Sequence, residues 1–244
     1  ALLADRVAGC AGNVADGQTD RRTDDATLST QHSALSTQHS LSARVMRVIA
    51  GEAKGHTLKG PPSTATRPMT DKIRQAVYNT LASLGVEPDR VLDLYAGTGS
   101  IGIEALSRGA TWADFVDQSA AACAVIRANL VHTKYNDASR VYQMPVAAFL
   151  NRDEAPYDLI ILDPPYADPE IVATLERVAD ARLVQSGTIV VVGHWPRLTL
   201  PDQIGRLARL RLRCHGDSCF SIYEADEPIA DGRDGQTGRR ADGT

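Results

Sequence analysis

Short apolar segments alternate with amphipathic segments along residues 86–225, and this alternation predicts strands and helices in turn. The predicted strands lie at 90–95, 112–117, 140–144, 158–163 and 187–192. The predicted helices run over 101–108, from the N-cap Ser119 to about residue 130, and from Pro169 in the first turn to about residue 179. Because strands that alternate with helices usually pair in the same direction, the pattern predicts an α/β fold with a mostly parallel sheet.

The alternation stops after the fifth strand. The segments "LARLRLRC" and "SCFSIYEA" both have strand character, and only residues 215–217 separate them, so they predict a terminal antiparallel hairpin. At the other end, "RVIAGEAKGHTL" has the alternation and glycines of a hairpin. Thr70 then predicts the start of a helix with an apolar stripe formed by Ile73, Val77, Leu81 and Leu84. We therefore expect a small N-terminal hairpin-and-helix appendage at 46–85, followed by the sheet domain at 86–225.

The two ends of the chain lack such patterns. Residues 1–45 include the near-repeat "STQHSALSTQHSLS", which has no period that could bury a face and predicts a disordered extension. Met46 is the first methionine, and we hypothesise that it is the native start. Residues 226–244 are rich in Gly, Asp and Arg and predict a disordered tail.

Composition narrows the class of protein only modestly. The chain has 244 residues, 43% apolar residues and a formal net charge of −4, which argues against a protein that coats nucleic acid through its overall charge. The four cysteines show no C-x-x-C spacing, so neither a zinc ribbon nor a disulfide framework is indicated. Cys214 and Cys219 are interpreted as small residues on the last two strands, and no metal is expected. A cytoplasmic location fits best, since no run of 18 apolar residues occurs.

The first chemical motif is "LDLYAGTGSIG". It contains G-x-G-x-x-G, formed by Gly97, Gly99 and Gly102, and Asp117 lies 20 residues after the first glycine. The pattern suits a nicotinamide dinucleotide or S-adenosylmethionine, and Asp117 would accept ribose hydroxyls in either case. Asp93 favours the methyl donor, because a carboxylate beside a pyrophosphate would be repelled.

The second motif, Asp163-Pro164-Pro165-Tyr166, ends the fourth predicted strand. Two prolines stop the strand and form a rigid extended turn at the sheet edge where α/β proteins bind ligands. The Asp163 carboxylate and the Pro164 carbonyl could accept the protons of an exocyclic amine, while Tyr166 stacks on the base. This motif predicts methyl transfer to a base nitrogen.

Together, "VLDLYAGTGSIGIEALSRGA" and "LDPPY" resemble Rossmann-like class I methyltransferases that use S-adenosyl-L-methionine and modify exocyclic amino nitrogens. The segments "MRVIAGEAKGHTL", "TRPMTDKIRQAVYNTL" and "HGDS" look like those of RsmD-type bacterial 16S rRNA (guanine-N2)-methyltransferases. The resemblance covers nearly all of 46–225. It implies methylation of guanine 966 of 16S rRNA, with the small ribosomal subunit or an assembly intermediate as partner and a monomeric enzyme.

The resemblance also implies a set of site residues. The catalytic group is Asp163, Pro164, Pro165 and Tyr166, and the cofactor-binding group is Asp93, Tyr95, Ala96, Gly97, Thr98, Gly99, Asp117, Gln118 and Val146. This chain departs from the family pattern in three places. Met144-Pro145-Val146 stands where a polar contact to adenine is common, so adenine recognition must use backbone and apolar packing. Gly193 stands where a glutamate is expected, and His215 stands where an aromatic residue is expected.

Basic residues concentrate in the N-terminal appendage: Arg47, Lys54, Lys59, Arg67, Lys72 and Arg74. We predict that Arg47, Lys54, Arg67 and Lys72 bind RNA phosphates beside the cofactor cleft, against the alternative of a solvated charged hairpin.

Three other functions stay open at this stage. An adenine-N6 DNA or RNA methyltransferase would share the Asp-Pro-Pro-Tyr chemistry. A nicotinamide dehydrogenase would share the glycine loop, although Asp93 and the terminal hairpin argue against it. A non-catalytic RNA-binding assembly factor would share the fold, but it has no need of the geometry at 163–166.

Overall fold

The computed structural model describes residues 46–60, 69–165 and 169–227. These described residues all fall within one compact unit. Two predicted site residues, Arg67 and Tyr166, lie outside the described residues, as do the predicted extension at 1–45 and residues 228–244 of the predicted tail. The division into an appendage and a sheet domain stays a prediction.

Fifteen helices and strands are described, together with a 3-10 turn at Asn136–Ala138. In chain order they are β1 (Met46–Arg47), β2 (Thr57–Leu58), α1 (Asp71–Ser83), β3 (Arg90–Leu94), α2 (Ser100–Ser107), β4 (Trp112–Asp117), α3 (Ala120–Thr133), β5 (Ser139–Gln143), α4 (Val146–Phe149), β6 (Leu159–Leu162), α5 (Ile171–Asp180), β7 (Ile189–His194), β8 (Gln203–Ile204), β9 (Leu207–His215) and β10 (Ser218–Ala225).

The main sheet has eight strands in the order β5-β4-β3-β6-β7-β10-β9-β8. The strands from β5 to β7 are parallel, whereas β10, β9 and β8 join antiparallel. Strands β1 and β2 form a separate antiparallel pair. The predicted α/β fold, its terminal hairpin and the N-terminal hairpin with its helix are therefore confirmed.

Two apolar clusters cover the two faces of this sheet. One cluster joins the N-terminal hairpin and α1, through Met46, Ile73 and Val77, to β3, β6, β7 and β10. The other joins α4 and α5, through Phe149 and Leu175, to the opposite face of the same strands. We call the first face the α1 face and the second the α5 face.

Local capping follows the sequence closely. Thr70 accepts a hydrogen bond from the Ile73 N–H (3.4 Å) and Ser119 accepts one from the Ala122 N–H (3.3 Å), so both predicted N-caps are confirmed. Pro169 was placed in the first turn of α5, and this was wrong by two residues. The helix begins at Ile171 with Glu170 as N-cap, because its first backbone bond runs from Thr174 to the Glu170 carbonyl (2.8 Å).

The interpretation of the late cysteines also needs correction. Cys214 and Cys219 lie on the last two strands as expected, but they form a disulfide bond. They are direct cross-strand partners with Cα atoms 4.0 Å apart, a register that the spacing along the sequence does not reveal. Cys123 is a free, buried thiol. None of the described helices is long and apolar enough to cross a membrane.

Candidate active site

Asp93 is the most buried carboxylate at the carboxyl edge of the sheet. It lies on β3 between Phe115 of β4 and Ile161 of β6, and only 1% of it is exposed. Its Oδ2 accepts the Gly102 N–H at 2.9 Å, while its buried Oδ1 has no hydrogen-bond partner within the described structure. Burial raises the pKa of Asp93 well above its ordinary value. An unpartnered buried carboxylate oxygen is costly, so the site is suited to a cationic or hydrogen-bonding ligand.

Three carboxylates converge at this edge. Asp117 ends β4, Asp163 follows β6, and the charges of both contribute to raising the pKa of Asp93. Because the charges of Asp117 and Asp163 both act on Asp93, this edge of the sheet is locally negative. A negative edge attracts sulfonium and ammonium groups and repels a pyrophosphate.

The backbone of the glycine loop is held by one of these carboxylates. Gly97, with φ of +56°, donates its N–H to Asp117 Oδ2 at 2.9 Å, and Asp117 Oδ1 accepts from Ser119 at 2.8 Å. Tyr95 adopts φ of +59°, a strained conformation for a non-glycine residue that commonly marks functional loops. Both oxygens of Asp117 keep lone pairs for further hydrogen bonds.

Not every glycine in the motif faces a ligand. A Cβ at Gly102 would lie 2.4 Å from the Phe115 ring, and one at Gly99 would lie 3.1 Å from Ile126. These two glycines therefore allow α2 and α3 to pack closely on β4. Thr98 is also turned away, because its hydroxyl contacts the Met46 sulfur (3.3 Å).

Asp163 lies between the start of α1 and the end of β7. Its Oδ2 accepts the Met69 N–H at 3.2 Å. A Cβ placed on Gly193 would lie 2.4 Å from Asp163 Oδ1, so the glycine leaves the space that this carboxylate occupies. Burial raises the pKa of Asp163 to about 6, and the Met69 hydrogen bond opposes that rise. The glutamate expected from the family pattern would not fit here without moving Asp163.

A small depression, open to solvent and with room for about one water molecule, adjoins Asp163. It is lined by Pro164, Pro165, Ile171, Gly193, His194, Trp195 and Leu198. His194 Nδ1 contacts the Trp195 carbonyl (2.9 Å), which requires a proton on that nitrogen, and Nε2 contacts the Ser221 hydroxyl (3.0 Å). Burial lowers the pKa of His194 and favours this neutral ring. Trp195 remains 44% exposed at this depression.

The region predicted to meet adenine is apolar. Val146 begins α4 with its side chain buried in the α5-face cluster, while Met144 is half-buried and donates its N–H to the Asp117 carbonyl (3.1 Å). Gln118 and Pro145 are exposed beside them. Met144, Pro145 and Val146 therefore offer only backbone and apolar surface, and their contact with adenine stays a prediction.

The basic residues of the N-terminal appendage separate into two groups. Arg47, Lys54 and Lys72 are exposed, and the Arg47 guanidinium lies 3.7 Å from Asp71. Arg74 is different, because it is completely buried and donates to Asp71 (3.0 Å) and to the Arg47 carbonyl. Counting Arg74 among the basic residues of an RNA-facing appendage was therefore wrong, since it lies inside the protein.

Glu104 is a functional anchor that the sequence did not single out. This fully buried residue of α2 accepts the N–H groups of Ile49 (2.7 Å) and Ala50 (3.0 Å), and it pairs with Arg108 (2.8 Å) and Arg74 (3.8 Å). The N-terminal hairpin is thus fixed to the helix that follows the glycine loop. A charged residue inside an otherwise apolar helix was the available signal.

The parallel sheet, the glycine loop and the acidic edge together define a class I methyltransferase. A family model described as "Conserved hypothetical protein 95" matches residues 46–224, and the chain belongs to this family of RsmD-type methyltransferases.

Individual relatives agree with this assignment. A Bacillus subtilis protein, YlbH, provisionally named an rRNA methyltransferase, is 33% identical over 182 residues, which cover 73% of this chain and 98% of that protein. Ribosomal RNA small subunit methyltransferase D of Escherichia coli K12 is 28% identical over 181 residues, covering 74% and 90%. A solved Escherichia coli structure, provisionally described as methyltransferase yhhF, has a TM-score of 0.65 at 26% identity and covers 74% of this chain and 98% of that one.

Among the described residues, no group of three or more His, Cys, Asp or Glu side chains could hold a metal ion.

Proposed function

We propose that this chain transfers a methyl group from S-adenosyl-L-methionine to the exocyclic N2 of a guanine in 16S rRNA, guanine 966 by the family resemblance. The observation that carries the proposal is the convergence of Asp93, Asp117 and Asp163 at one edge of the sheet, with the Asp93 Oδ1 buried and unpartnered. Names of the relatives in Bacillus subtilis and Escherichia coli support ribosomal RNA as the substrate class.

The residues present fit the proposed methyl donor. Asp93 would receive its ammonium group, directly or through water, and Asp117 would accept both ribose hydroxyls with its remaining lone pairs. Gly97 allows backbone approach without a Cβ, while Val146 and Met144 offer apolar surface to adenine. Bound in this pocket, the donor would supply an electrophilic methyl group. A pyrophosphate would be repelled here, which argues against the dehydrogenase alternative.

The acceptor side needs positioned hydrogen-bond acceptors rather than a strong base. The Asp163 carboxylate and the Pro164 carbonyl would accept the two protons of the guanine amino group and orient its lone pair. One proton leaves easily once the nitrogen has been alkylated, and the Asp163 carboxylate stands ready to receive it. Gly193 contributes indirectly, because it leaves room for that carboxylate.

The flipped base would lie over the open surface beside the two prolines. Trp195 presents an exposed aromatic face there, and its backbone is fixed by His194. Stacking on an aromatic side chain is the usual means of holding an extruded base. Arg47, Lys54 and Lys72, with Arg67 and Tyr166 from outside the described residues, are proposed to complete the RNA-binding and stacking surfaces.

Radiolabelled S-adenosylmethionine and small ribosomal particles from cells lacking the modification would test the proposal, with nucleoside analysis of the product. We expect label in N2-methylguanosine with the native protein, and loss of it with Asp163→Ala. The exposed Asp180→Ala on α5 is the matched control and should keep full activity.

Each other outcome has a defined meaning. Label in methyladenosine would keep the chemistry and overturn guanine as the target. Tight donor binding without transfer to RNA would favour the non-catalytic assembly factor.

A further inference from the structure

The strand β9 and the residue just before it carry arginines that no part of the proposed site uses. Arg206 precedes β9, and Arg209, Arg211 and Arg213 lie on it, so four arginines occur within eight residues. Their surroundings divide them into two pairs with different roles.

The first pair is engaged within the protein. Arg206 donates to the carbonyls of Ala179 (3.0 Å) and Val184, and Arg209 pairs with Asp202 and donates to the Leu200 carbonyl (2.9 Å). These two side chains connect the start of β9 to α5 and to the loops at Val184 and at 200–202. Most of their hydrogen-bonding capacity is therefore used within the protein.

The second pair is exposed. Arg211 donates one N–H to the neighbouring Leu210 carbonyl (2.7 Å), and Arg213 donates one to the Leu212 carbonyl (3.1 Å). Neither takes part in an ion pair within the part of the chain that the structure describes. A guanidinium has five N–H donors, so most of the donors of each group remain available for an acceptor outside the protein.

Sheet register places this second pair beside the catalytic pocket. Arg213 is the cross-strand partner of Phe220, and Phe220 is the partner of Gly193, the residue that leaves room for Asp163. Two strand spacings therefore separate Arg213 from Gly193, roughly 10 Å between backbones. Arg211 lies in the next such row, opposite Ile222 and Val191.

Both side chains also lie on the appropriate face of the sheet. Cross-strand partners project to the same side, and Phe220 and Ile222 belong to the α1-face cluster. The exposed Lys72 lies in the first turn of α1, which packs on that face, and Met69, whose N–H binds Asp163, lies three residues before it. Arg211 and Arg213 are spaced roughly 7 Å apart along β9, which is compatible with neighbouring phosphates of one strand.

We propose that Arg211 and Arg213 bind the phosphates flanking the target nucleotide, so that the RNA strand is held on both sides of the pocket, by β9 and by the N-terminal appendage. This inference rests on the proposed function and adds the second anchoring surface to it. Beyond Arg209, whose N–H donates to the Asp202 carbonyl (2.8 Å), the outer edge of β9 has no strand partner within the described residues. An RNA backbone can therefore approach this edge.

The alternative role for these arginines is protection of an open strand edge against association with other chains. The two roles predict different measurements. Edge protection depends on charge of either sign and affects solubility, whereas phosphate binding requires positive charge and affects the salt dependence of RNA affinity.

The test compares Arg211→Gln/Arg213→Gln with the control Arg177→Gln/Arg182→Gln, which removes the same charge from exposed positions on or just after α5. Binding of unmodified small-subunit RNA is measured by fluorescence anisotropy at several salt concentrations, with S-adenosylmethionine-dependent methylation in parallel. We expect the β9 variant to bind about tenfold more weakly near 0.1 M salt. The slope of log affinity against log salt should fall by about 1.4, since each phosphate contact on single-stranded RNA contributes about 0.7.

For methylation, we expect a raised KM for RNA with the KM for the methyl donor unchanged. If the β9 variant has the affinity and salt slope of the control, the anchoring role is overturned. If the β9 variant shows the expected lower salt slope but the native protein transfers no methyl group, the anchoring role is supported and the proposed reaction is overturned. Equal thermal unfolding of both variants is required for the comparison, and Arg211→Lys/Arg213→Lys should restore most of the salt slope.

Discussion

At the scale of single residues, Asp163 is proposed to accept protons from the substrate, yet its buried environment disfavours the ionised carboxylate that this role requires. Its carboxylate lies against Gly193 and under the Met69 N–H, and burial raises its pKa to about 6. A carboxylate that must accept protons from an amino group works only when it is ionised. The acidic limb of the pH–rate profile should therefore reflect the ionisation of Asp163.

We predict that kcat/KM for methyl transfer rises with pH through an apparent pKa of about 6. At one pH unit below that value the rate should be roughly a tenth of the plateau, because only about a tenth of the carboxylate is ionised. Steady-state assays over the range give the profile. Asp163→Asn should lack the acidic limb and lose about 100-fold or more in rate. An unchanged acidic limb in that variant would assign the titration to another group.

The same raised pKa makes a prediction about stability. The pKa of Asp163 in the folded protein, about 6, exceeds the ordinary value of 3.8, so folding favours the protonated form. Stability is consequently lost as pH rises from about 4 through about 6. At pH 8, Asp163→Asn should unfold at a higher urea concentration than the native protein. The corresponding gain in the free energy of unfolding should be about 1–2 kcal/mol, after allowance for the partial exposure of Asp163. The gain should disappear near pH 4, and a variant that is less stable at pH 8 would contradict the argument.

A substitution at Gly193 tests the position of Asp163, because this glycine leaves the space that the carboxylate occupies. In Gly193→Ala the new Cβ would lie 2.4 Å from Asp163 Oδ1, and the flexible carboxylate can turn away at small cost to the fold. We expect kcat to fall about tenfold or more because 1 Å misplacements are expensive in catalysis. Thermal unfolding should change little. Alanine at the exposed Gly60, where nothing lies within 4 Å of a Cβ, is the control.

At the scale of elements, several hydrogen bonds hold the N-terminal hairpin to α2, and all of them involve the hairpin backbone at residues 49–53. Glu104 accepts from Ile49 and Ala50, and the Ser107 hydroxyl donates to the Ala50 carbonyl (2.6 Å) and accepts from Ala53 (3.0 Å). Gly51, at φ of +83°, approaches so closely that a Cβ would overlap the Ser107 carbonyl. The proposed RNA-binding hairpin is thereby coupled to the helix that follows the glycine loop.

Glu104→Gln tests this coupling. The substitution removes one of the two carboxylates paired with the buried Arg74, leaving Asp71, and it removes the charged partner of Arg108. It also turns an amide donor toward another donor, so we expect a loss of about 3 kcal/mol in the free energy of unfolding. Urea unfolding measures the loss, with the exposed Glu176→Gln on α5 as control. Hydrogen exchange should accelerate first at the Ile49 and Ala50 amides. Uniform acceleration across β3 and β6 would indicate general destabilisation instead of a released hairpin.

Local signals in the sequence predicted the elements well, and contacts between distant residues account for what was missed. Thr70 and Ser119 were identified as caps because a cap acts within three residues of itself. Arg74 could not be recognised as buried, because its partner Glu104 lies 30 positions away on another helix. The disulfide between Cys214 and Cys219 depended in the same way on the register of β9 against β10. Gly193 departs from the family pattern, and the space that it leaves for Asp163 depends on the pairing of β6 with β7, which one sequence does not reveal.

At the scale of the whole molecule, acidic and basic side chains occupy different regions, and the net charge hides this separation. The formal net charge is −4, yet the acidic groups of the proposed site converge at the pocket while Arg47, Lys72, Arg211 and Arg213 are exposed. Such an arrangement can attract a phosphate backbone to the surface and a cation to the interior. This explains why net charge alone did not indicate a nucleic-acid partner.

The acidic pocket makes a prediction about the stability of the entire chain. A cationic ligand that satisfies Asp93 Oδ1 binds only the folded protein, and at 100 times its dissociation constant it should add about 2.7 kcal/mol. For a domain of this size, S-adenosylmethionine should raise the unfolding temperature by roughly 5–10 °C, which differential scanning fluorimetry measures. Asp93→Asn should lose most of that shift while folding normally, because the amide removes the charge that attracts the ligand. NAD should give no shift, since its pyrophosphate would face three carboxylates, and stabilisation by NAD equal to that by S-adenosylmethionine would overturn the assignment of the pocket to a methyl donor.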